Sequence, residues 1–214
     1  GIKRPALAAM LPTGKGHTML MDVGANAECR PEMLSQFGVM ASAYLEKVEK
    51  IQNPKIALLN IGTEDTKGGE FQKEAYNLLK DAPVNFVGNI ESRELLSGDC
   101  DAAITDGFTG NIALKLIEGT ATRLFDMLKS VFTKNIFTKI SFLVLKDGLR
   151  GIKRTMSSDE VGGAPLLGTK KPVFKAHGSS KAIAFKNAIQ KAALFAENGV
   201  IGTIENRFSQ EVEN

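Results

Sequence analysis

Lys67, Asn111 and His177 each stand in a short polar loop that follows an apolar run and precedes a stretch of helical character. Five such loops occur: Asp22–Asn26 (DVGAN), Asn60–Gly69 (NIGTEDTKGG), Val87–Glu91 (VGNIE), Thr105–Asn111 (TDGFTGN) and Ala176–Ser180 (AHGSS). They hold amides, carboxylates, one lysine and one histidine beside glycines that leave backbone N–H groups bare. Such a set suits an oxyanion better than an apolar ligand. In an open parallel α/β sheet, loops of this kind collect beyond the carboxyl ends of the strands, where ligands bind. The expectation is one site assembled from all five.

Taken singly, each loop keeps a plainer alternative open. Glu64, Asp65 and Lys67 lie between a strand end and the glycine pair Gly68–Gly69 that opens the next helix. Lys67 is either a solvated turn residue or the flexible cation that holds a phosphate at a helix start. Asp106 and Thr109 each suit an ordinary helix N-cap, although two glycines and Asn111 in the same loop exceed what capping needs. Gly178, Ser179 and Ser180 resemble a phosphate cradle, with Ser179 equally able to cap a helix. His177 is an acid–base group, a donor, or a structural residue at a strand end. Asn26 and Asn60 end strands, where they either donate into the crevice or satisfy turns.

Several chemistries lack their pattern. The spacing G-x-x-x-x-G-K-[ST] of a Walker loop is absent, as are G-x-G-x-x-G and the nucleophile elbow G-x-S-x-G. Asp99, Asp101 and Asp106 form no convincing metal set, and Cys29 and Cys100 have no adjacent activating group. No cofactor, no metal and no covalent enzyme intermediate are expected.

The elements that must position these loops follow from apolar periodicity. Strands are expected at Thr18–Val23, Lys55–Ile61, Val84–Val87, Ala102–Thr105 and Pro172–Lys175, with buried structure already at Pro5–Met10. A helix should begin at Pro31, followed by helices at Phe71–Lys80, near Ser92–Leu96, from about Gly110 and over Ser179–Glu197. In the long helix Ile117, Ala121, Leu124, Phe125, Leu128, Val131 and Phe132 form one stripe. In the closing helix Ile183, Ala184, Ala188, Ile189 and Ala192 should face inward. Strand–helix alternation with short loops predicts a mainly parallel sheet covered on both faces, a three-layer α/β/α sandwich in one α/β domain over residues 1–214.

Composition agrees with a chain that buries one good core. It has 214 residues, 43% of them hydrophobic, and a formal net charge of +3, too mild to argue for nucleic acid. Two cysteines without a pairing pattern point to a reducing compartment. No apolar stretch approaches the ~20 residues that span a bilayer. The chain opens at Gly1 without methionine, in a stretch too short in apolar residues for a signal peptide, and reads as a fragment of a longer protein.

One segment departs from a simple sheet. A helical hairpin insertion is expected at about 129–156, where Lys129, Lys134, Lys139, Lys146, Arg150, Lys153 and Arg154 face a single acid, Asp147. A core stripe would use Ile136, Phe137, Ile140, Leu143 and Val144, so Phe142 and Leu145 widen the apolar face. The hairpin packs on a second subunit, touches an anionic membrane through a tip formed by Ile136, Phe137, Phe142 and Leu145, or does both.

The motifs MDVGAN, LLNIGTEDTKGG, GNIE, ITDGFTGN, GGAPLLG (Gly162–Gly168) and HGSS, in this order and spacing, resemble the bacterial phosphate acyltransferases. These are the acyl-ACP:phosphate transacylases of phospholipid synthesis. The resemblance spans essentially the whole chain, but members of that family carry a longer start with an Asp-Ala-Met-Gly-Gly-Asp stretch that is absent here. It implies a fold related to isocitrate and isopropylmalate dehydrogenases and to phosphotransacetylase. It also implies a homodimer, cytoplasmic and peripheral to the membrane, with acyl carrier protein and inorganic phosphate as partners.

In the implied reaction phosphate attacks the thioester and releases the carrier. Lys67 with Gly178–Ser180 would hold phosphate, and Asn111, with Asn26 or Asn60, would donate to the carbonyl oxygen. His177 would polarise phosphate or protonate the thiolate, while Glu64 and Asp106 orient the lysine and asparagine. Rival readings are a phosphotransacetylase acting on small acyl-CoA, a decarboxylating dehydrogenase, and a non-catalytic scaffold binding phosphorylated ligands at a membrane.

Overall fold

The computed structural model describes residues 1–155, 163–176, 180 and 182–210. The chain opens with a hairpin of β1 (Ala6–Thr13) and β2 (Gly16–Met21), antiparallel, with Thr13 opposite Gly16. It continues through α1 (Pro31–Lys47), β3 (Lys55–Asn60), α2 (Glu70–Asp81), β4 (Asn85–Glu91), a 3-10 turn (Ser92–Leu96) and β5 (Ala102–Ile104). The long helices α3 (Gly107–Thr133) and α4 (Ile136–Thr155) follow, then β6 (Ala164–Leu167), β7 (Phe174–Lys175), α5 (Ala182–Glu197) and α6 (Val200–Gln210).

The seven strands lie in the order β4-β3-β5-β2-β1-β6-β7. Pairing directions make β2, β3, β4, β5 and β6 parallel to one another, with β1 and β7 reversed. Alternation along β3 explains the layers. Ile56 and Leu58 join Leu34, Phe37, Met40 and Tyr44 of α1 and Leu79 of α2 in one cluster. Ala57 and Leu59 face the other way, toward Leu95 and the α3 residues Ala113, Leu114 and Ile117. Helices therefore cover both faces, and each fully buried large apolar side chain of α1, such as Leu34, Phe37 or Met40, contributes about 1.5–3 kcal/mol.

Helix α6, which periodicity did not single out, closes the α1 side. Arg207 donates to Ser42 at 3.0 Å and to Glu46 at 2.6 Å, and Lys191 of α5 pairs with Glu49 at 2.7 Å. Strand β6 arises from the GGAPLLG motif, which the pattern had left without an element. VGNIE, expected as a loop, lies within β4, where its register with Leu58–Asn60 continues through Asn89–Glu91.

Two apolar faces differ from expectation. In α5 the buried row is Ala184, Ala188 and Phe195, whereas Ile183 and Ile189 are 64% and 69% exposed. The alanines allow close packing: a Cβ on Gly163 would lie 3.2 Å from that of Ala188. In the α3–α4 pair, α3 turns Ile117, Ala121, Phe125, Leu128 and Phe132 inward, while Leu124 and Val131 are exposed.

Helix α4 meets that seam with Thr138, Phe142, Lys146 and Leu149, the rings of Phe132 and Phe142 lying 5.5 Å apart. Phe142 is thus a packing residue rather than part of an exposed tip. The row expected as core is the outer face, with Phe137 77% and Val144 82% exposed. A helix with two apolar faces buries only the one its single partner reaches.

Gly110 gives this packing a sharp test. A Cβ there would fall 1.9 Å from the Asp22 carbonyl oxygen, whereas Gly119 on the same helix has open space. In the full-length protein, Gly110→Ala should destabilise by about 1–3 kcal/mol. Gly119→Ala should stabilise by up to about 1 kcal/mol. Denaturant melts showing equal effects would contradict the close approach.

Candidate functional site

The parallel register puts Met21, Ile104 and Leu58 side by side, so the chain leaves β2, β5 and β3 at one edge. Neighbouring strands lie about 4.8 Å apart. The loop bearing Lys67 and the helix start bearing Asn111 therefore spring from adjacent strands. Asn89 joins them from within β4, one strand farther out. Strand β7 runs antiparallel to β6 and so against this group.

Around β2 the organising group is Asp22, a fully buried carboxylate that the motif reading passed over. Its Oδ1 accepts from the backbone N–H groups of Leu7, Gly24 and Ala25, and its Oδ2 from the backbone and side-chain N–H of Asn26, at 2.8–3.1 Å. A carboxylate that ends a strand and is followed by Gly-Ala-Asn is the sequence signal for such a turn. The Asn26 carbonyl in turn accepts from the Gly107 N–H at 2.9 Å. Gly24 sits at φ +118°, where its Cβ position would lie 3.4 Å from the Asn111 side chain. A β-carbon there would be strained by the backbone angle and would touch Asn111.

A second set forms around β3. Asn60 donates to the Lys67 carbonyl at 3.1 Å and to Asn89 Oδ1 at 3.2 Å, while Asn89 donates to the Glu64 carbonyl at 2.7 Å. These amides shape the loop and leave the Lys67 ammonium 3.7 Å from Glu64, with the lysine side chain 47% exposed. The Gly69 N–H is met by the Gln72 side chain at 3.0 Å as α2 begins.

Asn26 donates both amide hydrogens, to Pro5 O and Asp22 Oδ2, and Asn60 donates both of its own to protein acceptors, so neither has one left for a ligand. Asn111, partly exposed, makes no side-chain hydrogen bond with the described residues. Asp106 accepts from the Thr109 N–H at 2.8 Å and is the N-cap of α3 rather than an orienting partner of Asn111. Glu64 does stand beside Lys67. His177, Gly178 and Ser179 lie outside the described residues.

Ser180 is described, and it borders an apolar groove of about 140 Å³ on the α3 side of the sheet. Leu7, Ala9, Val23, Leu114, Ala164 and Ala184 line that groove. Two exposed apolar side chains at the edge, Ile61 and Phe108, also went unremarked in the sequence reading.

The remaining candidates serve structure. Asp99 takes a hydrogen bond from Lys15, which holds its carboxyl below the usual range, and Asp101 accepts from the Lys55 N–H at 2.7 Å, both at the opposite edge of the sheet. No cluster of three metal-ligating side chains occurs among the described residues. Burial pushes the Cys29 thiol up to about 11 and that of Cys100 up to about 12. For Cys29 the rise from 9.0 leaves about a hundredfold less thiolate at pH 8. Alkylation read by mass spectrometry should therefore be far slower at Cys29 in the folded than in the unfolded full-length protein; equal rates would show that burial does not suppress its thiolate.

Comparison with known proteins adds a lineage to this geometry. Residues 1–203 match the family model described as "Fatty acid synthesis protein". The chain is 52% identical to a protein named phosphate acyltransferase from Alkaliphilus oremlandii, covering 98% of this chain and 62% of the relative. It is 50% identical to the protein of that name from Anoxybacillus flavithermus, covering 98% and 64%. It thus spans less than two-thirds of these relatives' length.

Among solved structures, a phosphotransacetylase from Streptococcus pyogenes aligns over 92% of this chain and 55% of its own, with a TM-score of 0.58 and 20% identity. A branched-chain phosphotransacylase from Enterococcus faecalis aligns over 89% and 65%, with a TM-score of 0.53 and 18% identity. At such identity these two likenesses bear on the fold alone.

Proposed function

The chain belongs to the fatty acid synthesis protein family, and from that premise we propose that it moves a long-chain fatty acyl group from acyl carrier protein to inorganic phosphate. The products are acyl phosphate, for phospholipid synthesis, and free carrier. What carries the reading is the adjacency of the Lys67 loop and the Asn111 helix start at one sheet edge, in a chain half identical to proteins named phosphate acyltransferase. The relationship to the isocitrate and isopropylmalate dehydrogenase fold, and a single α/β domain with the helical pair as an insertion, belong to the same proposal.

The chemistry asks little of a side-chain nucleophile. A phosphate oxygen is already nucleophilic at neutral pH, so the protein must hold the anion against the thioester carbonyl and stabilise the oxyanion that forms. The P–O oxygen bonds to the acyl carbon, the C–S bond breaks, and the thiolate leaves with a proton. Lys67, kept in place by Glu64, holds phosphate with the backbone of Gly178–Ser180. Asn111, free of protein partners among the described residues, donates to the carbonyl oxygen. Asn26 and Asn60 hold the loops, Thr109 and Asp106 form the helix start, and His177 polarises phosphate or protonates the thiolate.

Incubating the full-length protein with long-chain acyl carrier protein and phosphate, then trapping acyl phosphate with hydroxylamine, tests the reaction itself. Lys67→Ala and Asn111→Ala should each lower turnover about a hundred- to a thousandfold, about 3 kcal/mol, without loss of fold. Normal turnover in either variant would reject that residue's role.

We also propose that the protein is a cytoplasmic homodimer held to the membrane at its periphery. No helix among the described residues is long and apolar enough to cross a membrane. Leu116, Leu124 and Met127 of α3 support a subunit contact, being 50–67% exposed, and Ile136, Phe137, Val144 and Leu145 of α4 support an apolar tip. Lys139, exposed on the same helix, stands beside that tip, and each basic residue near an anionic surface contributes about 1 kcal/mol. Phe137→Glu with Val144→Glu should abolish co-sedimentation with anionic vesicles while sedimentation velocity still reports a dimer. Unchanged vesicle binding would reject the tip, and a monomeric wild type would reject the dimer.

A further inference from the structure

Apart from Ser180, the residues lining the groove on the α3 side of the sheet are not among those proposed to hold phosphate or the carbonyl. Its floor is Leu7 and Ala9, two positions apart on one face of β1. Ala164 lies beside them on the neighbouring strand β6, and Leu114 of α3, Ala184 of α5 and Val23 also line the groove. Among its lining residues the charged or hydroxyl side chains are Glu118, Lys175 and Ser180.

The groove lies close to the candidate site. Val23 directly precedes Gly24, whose Cβ position meets Asn111, and Leu114 lies one turn past Asn111 on the same face of α3. Ala176 and Ser180 line the same groove. A molecule whose reacting carbon sits at Asn111 thus has an apolar slot running away from that carbon.

We propose that this groove holds the first methylenes of the substrate's acyl chain, next to its reacting carbonyl. The assignment rests on the acyl-transfer reading above and adds to it the place where the chain lies. At about 30 Å³ per water-sized group, 140 Å³ takes about five methylenes. Longer chains extend past the groove. Small residues set its width: Ala9, Ala164 and Ala184 leave room for an unbranched chain and little else. Each methylene buried there strengthens binding about fourfold.

Ala9→Phe and Ala164→Phe, both at partly exposed positions on neighbouring strands, would each fill the groove from its floor. In the full-length protein each should weaken palmitate binding, read by titration calorimetry, at least tenfold. A folded variant that binds palmitate as the wild type does would overturn the proposal. Should neither variant fold, a diazirine-bearing palmitate irradiated on the wild type must label peptides containing Leu7–Met10 or Leu114–Glu118. Labelling confined to 136–152 would overturn it equally.

Hydroxylamine trapping of acyl phosphate from long-chain acyl carrier protein is run on the same samples. If the wild type forms none while palmitate binding still depends on Ala9 and Ala164, the transfer reaction is rejected and the acyl groove stands.

Discussion

The arrangement turns on one buried carboxylate. Asp22 is inaccessible to solvent and accepts five N–H hydrogen bonds, tying the start of β1 to the turn after β2. A charge in that position is tolerable only because every donor around it converges. Each donor left unpaired would cost about 1–3 kcal/mol. Through Asn26 the same knot reaches the first turn of α3, and Gly110 lets that helix come against the Asp22 carbonyl. The position of Asn111 is a consequence of this packing rather than of its own loop.

A division of labour among the amides follows. Asn26, Asn60 and Asn89 look alike in sequence, each beside a strand end, yet their hydrogen bonds go to protein groups. They hold the loops in shape so that Lys67 and Asn111 can face outward. Preorganisation of this kind is what electrostatic catalysis needs, because donors already aimed require no reorganisation when charge develops.

The apolar surfaces separate into three kinds by what covers them. The α1 face of the sheet is closed by α2, α5 and α6. The opposite face is closed by α3 only in part, which leaves the groove beside β1. The outer faces of α3 and α4 are open, with Phe137 and Val144 among the most exposed large apolar residues. Hydrophobic surface of that extent, flanked by lysines, is characteristic of contact with a partner or a lipid surface.

Much of this could be read from sequence because it depends on local periodicity. The continuous apolar run KIALLN had to be a strand buried on both faces, Pro31 had to open α1, and Gly-rich strand ends had to form the polar edge. The motif order also pointed to the family that residues 1–203 match. Other features depend on which surfaces meet, and no window of sequence contains that. Strand β7 runs against the parallel group because its partner is β6, a register decided across the sheet. Phe142 packs inward and Val144 outward because α3 reaches only one face of α4. Asn26 and Asn60 lose their free amides to carbonyl and side-chain acceptors supplied by other elements. Sequence determined which residues could bind an anion; tertiary contact decided which were left free to do so, since a hydrogen bond made within the fold is one withheld from a ligand.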